Sequence, residues 1–124
     1  DRVVVTGAVP DMGKVLGKAT LSVAPLVYGA GIQNKVLEAM ACGTPVVASP
    51  LAVSALQAEP GVDLVVADGA PSFASAICSL LDDLPRREGL AQAGRAYVER
   101  LHSWNAAAAL LEQAYLEAAE SILP

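Results

Sequence analysis

Three polar side chains on one side of a short apolar helix pattern could bind an anionic, hydroxyl-rich ligand. The stretch "YGAGIQNKVLEAMACGTPVVAS" (28–49) carries Asn34, Lys35 and Glu38 at helical spacing. A carboxylate one and a half turns into this helix could accept two hydrogen bonds from a vicinal diol, as ribose offers. A solvated polar stripe with a weak Lys35–Glu38 surface pair fits the same spacing. Because the flanking segments are so apolar, we expect this side not to be wholly exposed.

The loop before this helix has the composition of a phosphate-binding turn. Gly29 and Gly31 permit a positive φ and a close backbone approach. The first amides of a helix have no internal partner, and the helix dipole adds positive charge there, so phosphate is a natural occupant. A tight turn without a ligand explains the glycines equally well. The dinucleotide fingerprint GxGxxG is not met, because its third glycine is replaced by Asn34, and the chain has no P-loop motif.

Strands and helices are predicted to alternate around this loop. The predicted strands are 2–6, 20–26, 45–49 and 62–67, and the predicted helices are 10–19, 32–42, 71–84, 86–102 and 104–123. Residues 50–58 fit either a loop or a short helix. Every strand is a continuous apolar run, which predicts an α/β fold: a Rossmann-like parallel sheet with helices on both faces, ending in three consecutive helices. Ligands of such sheets bind at the carboxyl ends of the strands, where the glycine loop lies.

Composition narrows the class of protein. The chain has 124 residues, of which 54% are hydrophobic and 17% charged, so it is one domain or part of one with a buried core. The net charge is −5, with four bases and three acids in residues 1–43 and four bases and ten acids in 44–124. Such an acidic chain is not expected to bind nucleic acid. No membrane span is indicated. Cys42 and Cys78 are predicted to be free thiols of a reduced, cytoplasmic protein.

The segment "GAGIQNKVLEAMACGTPVVAS", with "VVVTGAVPD" upstream and "GVDLVVAD" downstream, resembles the nucleotide-sugar-binding half of GT-B glycosyltransferases of the group 1, GT4-like retaining family. The resemblance covers essentially all of residues 1–124, as a partial C-terminal Rossmann-like domain. It implies that the N-terminal acceptor domain and the first strands of this domain are absent. It also implies hexosyl transfer from a nucleotide diphosphate sugar to a glycan or lipid-linked acceptor, with retention and with neither metal nor cofactor. The fragment alone is expected to be inactive.

The resemblance also assigns roles to residues. Glu38 matches the second glutamate of the family's E-x7-E motif, which holds the ribose hydroxyls, and the turn from Gly7 to Val9 would lie near the base. Tyr28 is a candidate contact to sugar or base, and Lys35 a candidate for stabilising the departing diphosphate. The backbone amides expected to face the diphosphate belong to Gly31, Ile32, Gln33 and Asn34.

One position departs from the family pattern. The first glutamate of E-x7-E, which contacts the transferred sugar, is replaced by Ala30. The residues that could substitute for it are Gly29, Gln33, Asn34 and Lys35. The replacement leaves open a non-catalytic nucleotide-binding or interaction module of the same fold. An epimerase of the same shape would need acid and base residues that the sequence does not show.

The remaining predictions concern packing. With two of the family's strands absent beside 20–26, the sheet would have open edges, so we expect the fragment to self-associate or to swap strands. "HSW" (102–104) is expected to anchor a helix junction, Asp11 to cap a helix and Asp68 to start a turn. The last helix, which crosses to the other domain in the family, could be displaced or packed on a neighbour. Core positions are predicted for three residues at helical spacing: Tyr97, Leu110 and Tyr115.

Overall fold

A computed structural model describes residues 2–122, which form a three-stranded parallel sheet and six helices. The predicted α/β fold with three consecutive helices at its end is confirmed. The elements are α1 (Met12–Leu16), β1 (Ser22–Ala24), α2 (Asn34–Ala41), β2 (Val46–Ala48), α3 (Pro50–Val53), β3 (Val65–Val66), α4 (Gly69–Asp82), α5 (Leu84–Leu101) and α6 (Trp104–Ile122).

The sheet has the order β1-β2-β3, and its middle strand is the most deeply buried. Val47 of β2 pairs with Val23 on one side and with Val65 on the other, both in parallel. All three residues of β2 are buried, which explains why the strands read as unbroken apolar runs. The predicted strands 20–26, 45–49 and 62–67 exist but are shorter than predicted. Pro25 directly follows β1, where a proline cannot donate a ladder hydrogen bond.

The core consists of two clusters on opposite faces of the sheet. Val46 and Ala48 join the first cluster, with α2, α3 and Tyr97, whereas Val47 between them joins the second, with α4 and Leu90. Alternate residues of a strand point to opposite faces, so helices cover the sheet on both sides. Helix α5 supplies both Leu90 and Tyr97 and therefore contributes to both clusters.

A glycine lets α5 approach the rest of the protein closely. Gly94 is buried where α5 crosses α2. A Cβ atom at this position would lie 2.8 Å from the carbonyl oxygen of Asp63 and 3.4 Å from Cε of Met40. No larger side chain fits there without displacing backbone, so the crossing depends on glycine.

The predicted strand 2–6 is wrong. Residues 2–6 have no regular secondary structure, and the side chains of Val3, Val4 and Val5 are 82%, 82% and 91% exposed. A β-branched run becomes a strand only beside a partner that satisfies its backbone groups and covers its side chains. Within residues 2–122 no strand lies beside this segment.

Helix α6 is more exposed than predicted. Leu110 and Tyr115 are 66% and 69% exposed, so their prediction as core residues is wrong, whereas Tyr97 is buried as predicted. In the described part of the chain α6 packs mainly on α5, which covers only one side of it. The predicted end of this helix at residue 123 lies outside the described residues.

Two acidic residues precede helices as predicted. Asp11 caps α1, because its Oδ1 accepts a hydrogen bond of 3.1 Å from the Lys14 amide. Asp68 precedes α4 and is followed by Gly69 at a φ of 74°. Its carboxylate makes no capping hydrogen bond, so Asp68 stands at the turn without closing the helix end.

Candidate functional site

A buried serine hydroxyl anchors the residue that precedes the glycine loop. Ser49, which follows β2, donates from Oγ to the carbonyl oxygen of Leu26 at 2.8 Å. The same Oγ accepts a hydrogen bond of 3.3 Å from the Ala52 amide and so caps α3. One side chain therefore ties the segment after β1 to the end of β2, at the carboxyl edge of the sheet.

Replacing Ser49 by alanine is expected to lower the free energy of unfolding by about 1–2 kcal/mol, because it removes a helix cap and leaves the Leu26 carbonyl without its donor. Urea unfolding followed by circular dichroism measures this change. Ser54→Ala is the matched control, since the Ser54 hydroxyl contacts only the carbonyl of Leu51 in an exposed position. Equal stability of the two variants would contradict the anchoring role.

Backbone conformation and one side chain shape the loop itself. Gly29 and Gly31 adopt positive φ values of 134° and 77°, which L-residues rarely adopt. The side-chain amide of Gln33 reaches back to the carbonyl oxygens of Gly31 at 3.3 Å and Ala30 at 3.5 Å. These contacts turn the two carbonyls toward Gln33 Nε2 and hold the loop against the start of α2.

The loop and the first turn of α2 present a run of free amide groups. Helix α2 begins at Asn34, two residues later than predicted, with Gln33 as its N-cap. Within residues 2–122, no backbone N–H from Val27 to Lys35 donates to a protein acceptor. The run includes every amide that the sequence assigned to a diphosphate, and also that of Lys35. Such amides at a helix start, together with the helix dipole, favour an anion.

Helix α2 separates an apolar face from a polar one. Its buried residues are Val36, Ala39 and Met40. The polar residues Asn34, Lys35 and Glu38 are all exposed, contrary to the expectation of partial cover. Ile32 does not join the buried face and is 52% exposed, because it precedes the helix. Within the described residues Lys35 and Glu38 form no ion pair.

Glu38 lies in a groove between α1 and α2. The groove has a volume of about 230 Å³. Besides Glu38 it is lined by Met12, Gly13, Leu16, Ala41 and Cys42. Across residues 2–122 the Glu38 carboxylate has neither a hydrogen bond nor an ion pair, so both of its oxygens can accept from a ligand. Sequence reasoning missed the α1 wall, although Asp11 marked the start of that helix.

Other predicted site residues lie near the groove without lining it. Val9 is partly exposed in the coil three residues before Met12. Tyr28 is 83% exposed, and Ala30 is exposed between the two glycines. The structure thus brings Glu38 together with the start of α1, and does not bring Val9 or Tyr28 into the same groove.

A second, larger cleft lies at the carboxyl ends of all three strands. It has a volume of about 480 Å³ and was not anticipated from the sequence. Its lining residues are Pro25, Leu26, Val27, Ser49, Asp68, Gly69, Ala70, Phe73, Ala74 and Ile77. The only charged side chain among them is Asp68, and the Ser49 hydroxyl already bonds Leu26. The lining of this cleft is therefore mostly apolar.

His102 and Tyr97 form a polar contact that has a packing role. Tyr97 Oη accepts a hydrogen bond of 3.0 Å from the Gln57 amide and lies 3.0 Å from His102 Nε2. This pair holds the end of α5 against the coil after α3, whereas "HSW" was predicted to anchor a junction between helices. Trp104 takes no part in it, because its side chain is 92% exposed.

The ion pairs of the described residues lie outside the loop. Lys14 pairs with Asp11 at 3.3 Å, and Arg95 Nε lies 2.8 Å from Glu99 Oε1 on α5. The Glu99 hydrogen bond, reinforced by its charge, raises the pKa of the Arg95 guanidinium above its usual value. Both pairs are exposed, so they contribute little to stability.

Residues 2–122 contain no group of three His, Cys, Asp or Glu side chains placed to hold a metal ion. None of their helices combines the length and the apolar character needed to cross a membrane.

The fold and the loop together define a class of protein. A parallel α/β sheet carries, at the carboxyl end of β1, a glycine loop that leads into α2; within residues 2–122 the loop amides and the Glu38 carboxylate have no partner. This is the arrangement of Rossmann-like domains that bind phosphate-containing ligands.

Sequence comparison identifies the family. The profile described as Glycosyl transferases group 1 matches residues 1–83, more than half of the chain. The chain belongs to the group 1 glycosyltransferase family. A D-inositol 3-phosphate glycosyltransferase of Corynebacterium aurimucosum is 37% identical over 91 residues, covering 71% of this chain and 21% of that protein. A protein of the same name from Thermobispora bispora is 31% identical over 115 residues, covering 91% and 26% respectively. The chain thus spans about a quarter of the length of these curated relatives.

Proposed function

We propose that the chain is the donor-binding part of a glycosyltransferase that moves a sugar from a nucleotide diphosphate sugar to an acceptor. The observation that carries this proposal is the run of free amides from Val27 to Lys35, directly before the unpaired carboxylate of Glu38. Membership of the group 1 family supports it. In this proposal the chain is a partial C-terminal domain of a cytoplasmic enzyme, and the acceptor domain lies elsewhere.

The spacing along α2 fits one nucleotide. Glu38 stands four residues after Asn34, which is about 6 Å along a helix axis. That distance suits a diphosphate at the free amides and ribose hydroxyls at the Glu38 carboxylate. The groove beside Glu38 continues to the first turn of α1, and the coil from Gly7 to Val9 that precedes α1 is our candidate for contacting the base.

Catalysis would follow from the charge that develops on the leaving group. When the bond from the anomeric carbon to the diphosphate breaks, negative charge accumulates on the phosphate oxygens. In this proposal the amides of Gly31 to Asn34, which are free within residues 2–122, and the exposed ammonium of Lys35 stabilise that charge. We propose hexosyl transfer with retention and without a bound metal. Residues 1–124 alone are expected to bind the donor without turning it over.

This proposal names only the chemical class of the acceptor, not a particular molecule. The two relatives are named for D-inositol 3-phosphate, but their similarity to this chain lies in the part that we assign to the donor. An acceptor preference would reside in the rest of those proteins. A glycan or a lipid-linked saccharide is the class that we propose.

A non-catalytic nucleotide-binding module is the second candidate. Ala30, exposed in the loop, occupies the position of the glutamate that is expected to contact the transferred sugar. Turnover of a nucleotide sugar by the full-length enzyme separates the two candidates. Both predict nucleotide binding, whereas only the first predicts release of the nucleoside diphosphate.

Nucleotide binding by the chain itself is the direct test. We expect UDP, GDP or ADP to shift the amide resonances of residues 27–35 in NMR titrations, and to do so at lower concentration than the corresponding monophosphate, because the diphosphate adds a charge at the free amides. A nucleoside without phosphate is the control. Shifts confined to Phe73 and Ile77 would instead place the ligand in the apolar cleft and would contradict the proposed site.

A further inference from the structure

The side chain of Gln33 folds back over the glycine loop instead of capping α2. Gln33 is the N-cap residue of this helix, yet its side chain makes no capping hydrogen bond. Its Nε2 donates instead to the carbonyl oxygens of Gly31 at 3.3 Å and Ala30 at 3.5 Å. A Cβ atom at Gly29 would lie 3.8 Å from the same nitrogen. One side-chain amide therefore lies against three consecutive residues of the loop.

These contacts fix the direction of two backbone amides. A peptide unit is planar and trans, so the N–H of each residue points opposite to the carbonyl of the residue before it. The Ala30 carbonyl shares a peptide unit with the Gly31 amide, and the Gly31 carbonyl shares one with the Ile32 amide. Because both carbonyls are directed at Gln33 Nε2, both N–H groups point away from the Gln33 side chain. Within residues 2–122 neither N–H has an acceptor.

The same contacts keep two carbonyl oxygens away from the side to which the amides point. A carbonyl oxygen carries partial negative charge and would repel a phosphate. Gly29 and Gly31, at φ values of 134° and 77°, give the loop a conformational freedom that other residues lack. Rotation of a peptide unit in such a loop would replace an N–H by a carbonyl oxygen on the ligand side. The Gln33 side chain opposes that rotation.

We propose that Gln33 is a positioning residue of the nucleotide site, which holds the Ala30 and Gly31 carbonyls and so directs the Gly31 and Ile32 amides toward a diphosphate. This inference rests on the proposed function, because it needs a diphosphate at the loop. The Gln33 side chain acts through the backbone and does not itself contact the ligand. Amides that are already oriented bind the charge without first ordering the loop, so less free energy is lost on binding.

Gln33→Met tests the proposal, because methionine has a similar length but no N–H to donate. We expect the variant to bind UDP, GDP or ADP about three- to tenfold more weakly than the wild type, as for the loss of neutral hydrogen bonds. The corresponding nucleoside without phosphate should bind both proteins equally. NMR titration measures these affinities. Gln92→Met makes the same chemical change at an exposed position of α5 and should keep the wild-type affinity.

A second measurement needs no nucleotide. In the free wild type, NMR order parameters of the Gly31 and Ile32 amides should be about 0.85, as in rigid backbone, and in Gln33→Met they should fall below about 0.6. The free energy of unfolding should not change, since the hydrogen bonds of the Gln33 side chain are confined to the exposed loop. Urea unfolding followed by circular dichroism checks this point.

The possible results separate this inference from the proposed function. If Gln33→Met bound the nucleoside diphosphate as tightly as the wild type, the positioning role would be wrong and the proposed function would stand. A wild type that binds no nucleoside diphosphate at residues 27–35 would overturn both. Rigid Gly31 and Ile32 amides in the variant would overturn the positioning role, because the loop would then keep its shape without Gln33. Equal losses for nucleoside and nucleotide would do the same, since they indicate general damage to the fold.

Discussion

Replacing Glu38 by alanine is expected to weaken binding of a nucleoside diphosphate by about 10- to 100-fold, because hydrogen bonds to a charged acceptor contribute about 1.5–3 kcal/mol. The carboxylate has no partner within residues 2–122 and lies in the α1–α2 groove, so its removal disturbs no protein contact of its own. Isothermal titration calorimetry with UDP, GDP and ADP measures the loss. The fold should be unchanged, since Glu38 is exposed.

Comparing two ligands shows whether Glu38 binds the ribose hydroxyls or only contributes a negative charge. The wild type should prefer a ribonucleotide over its 2′-deoxy form, and Glu38→Ala should bind both equally, because the acceptor of the 2′-hydroxyl is gone. Glu112→Ala removes an exposed carboxylate from α6 and serves as the control, with unchanged affinity. If Glu38→Ala bound the ribonucleotide as tightly as the wild type, the ribose assignment would be wrong.

Replacing Gly94 by alanine is expected to lower the free energy of unfolding by about 2 kcal/mol, because a methyl group added to a filled site forces backbone or side chains to move. The new Cβ would lie 2.8 Å from the Asp63 carbonyl oxygen, which belongs to backbone and cannot rotate away. The gain of about 1 kcal/mol in helix propensity offsets part of the cost. Urea unfolding by circular dichroism gives the difference.

Gly89 provides the control within the same helix. A Cβ atom there would meet no heavy atom within 4 Å, and the residue is exposed. Gly89→Ala should therefore raise the free energy of unfolding by up to about 1 kcal/mol through helix propensity alone. The opposite signs of the two substitutions are the expected result. A stabilised Gly94→Ala protein would show that α5 can shift away from the Asp63 backbone at little cost.

The fold could be predicted where apolar runs and helix periodicity agree with burial. β1, β2 and β3 were predicted because each lies in a continuous apolar run that contributes to the core. The run at 2–6 has the same pattern, but a strand also needs a neighbour, and pairing cannot be inferred from a segment's own residues. The prediction of Tyr115 as a core residue was wrong for a related reason. Helical spacing predicts which residues lie on the same face of a helix, but not whether another element covers that face.

The candidate site could be predicted in its residue types more than in its boundaries. Gly29 and Gly31 adopt the positive φ values that their identity indicated. Helix α2 begins two residues later than predicted, because its N-cap residue Gln33 makes no capping hydrogen bond and is not a residue type that marks a helix start in the sequence. The anchoring of Leu26 by Ser49 joins residues 23 positions apart, and such a contact has no local signal. Whether Glu38 and Lys35 act as the resemblance implies stays a prediction.

The position of α5 sets a lower limit on what can fold independently. The family profile ends at residue 83, yet Leu90 completes the cluster on one face of the sheet and Tyr97 the cluster on the other. Both side chains come from a single rigid helix, so losing α5 would open the interior on both sides at once. The two halves of the core are therefore expected to melt in one cooperative transition. We therefore expect the smallest part that folds on its own to extend past the segment that the family profile matches, at least through Tyr97 and its partner His102.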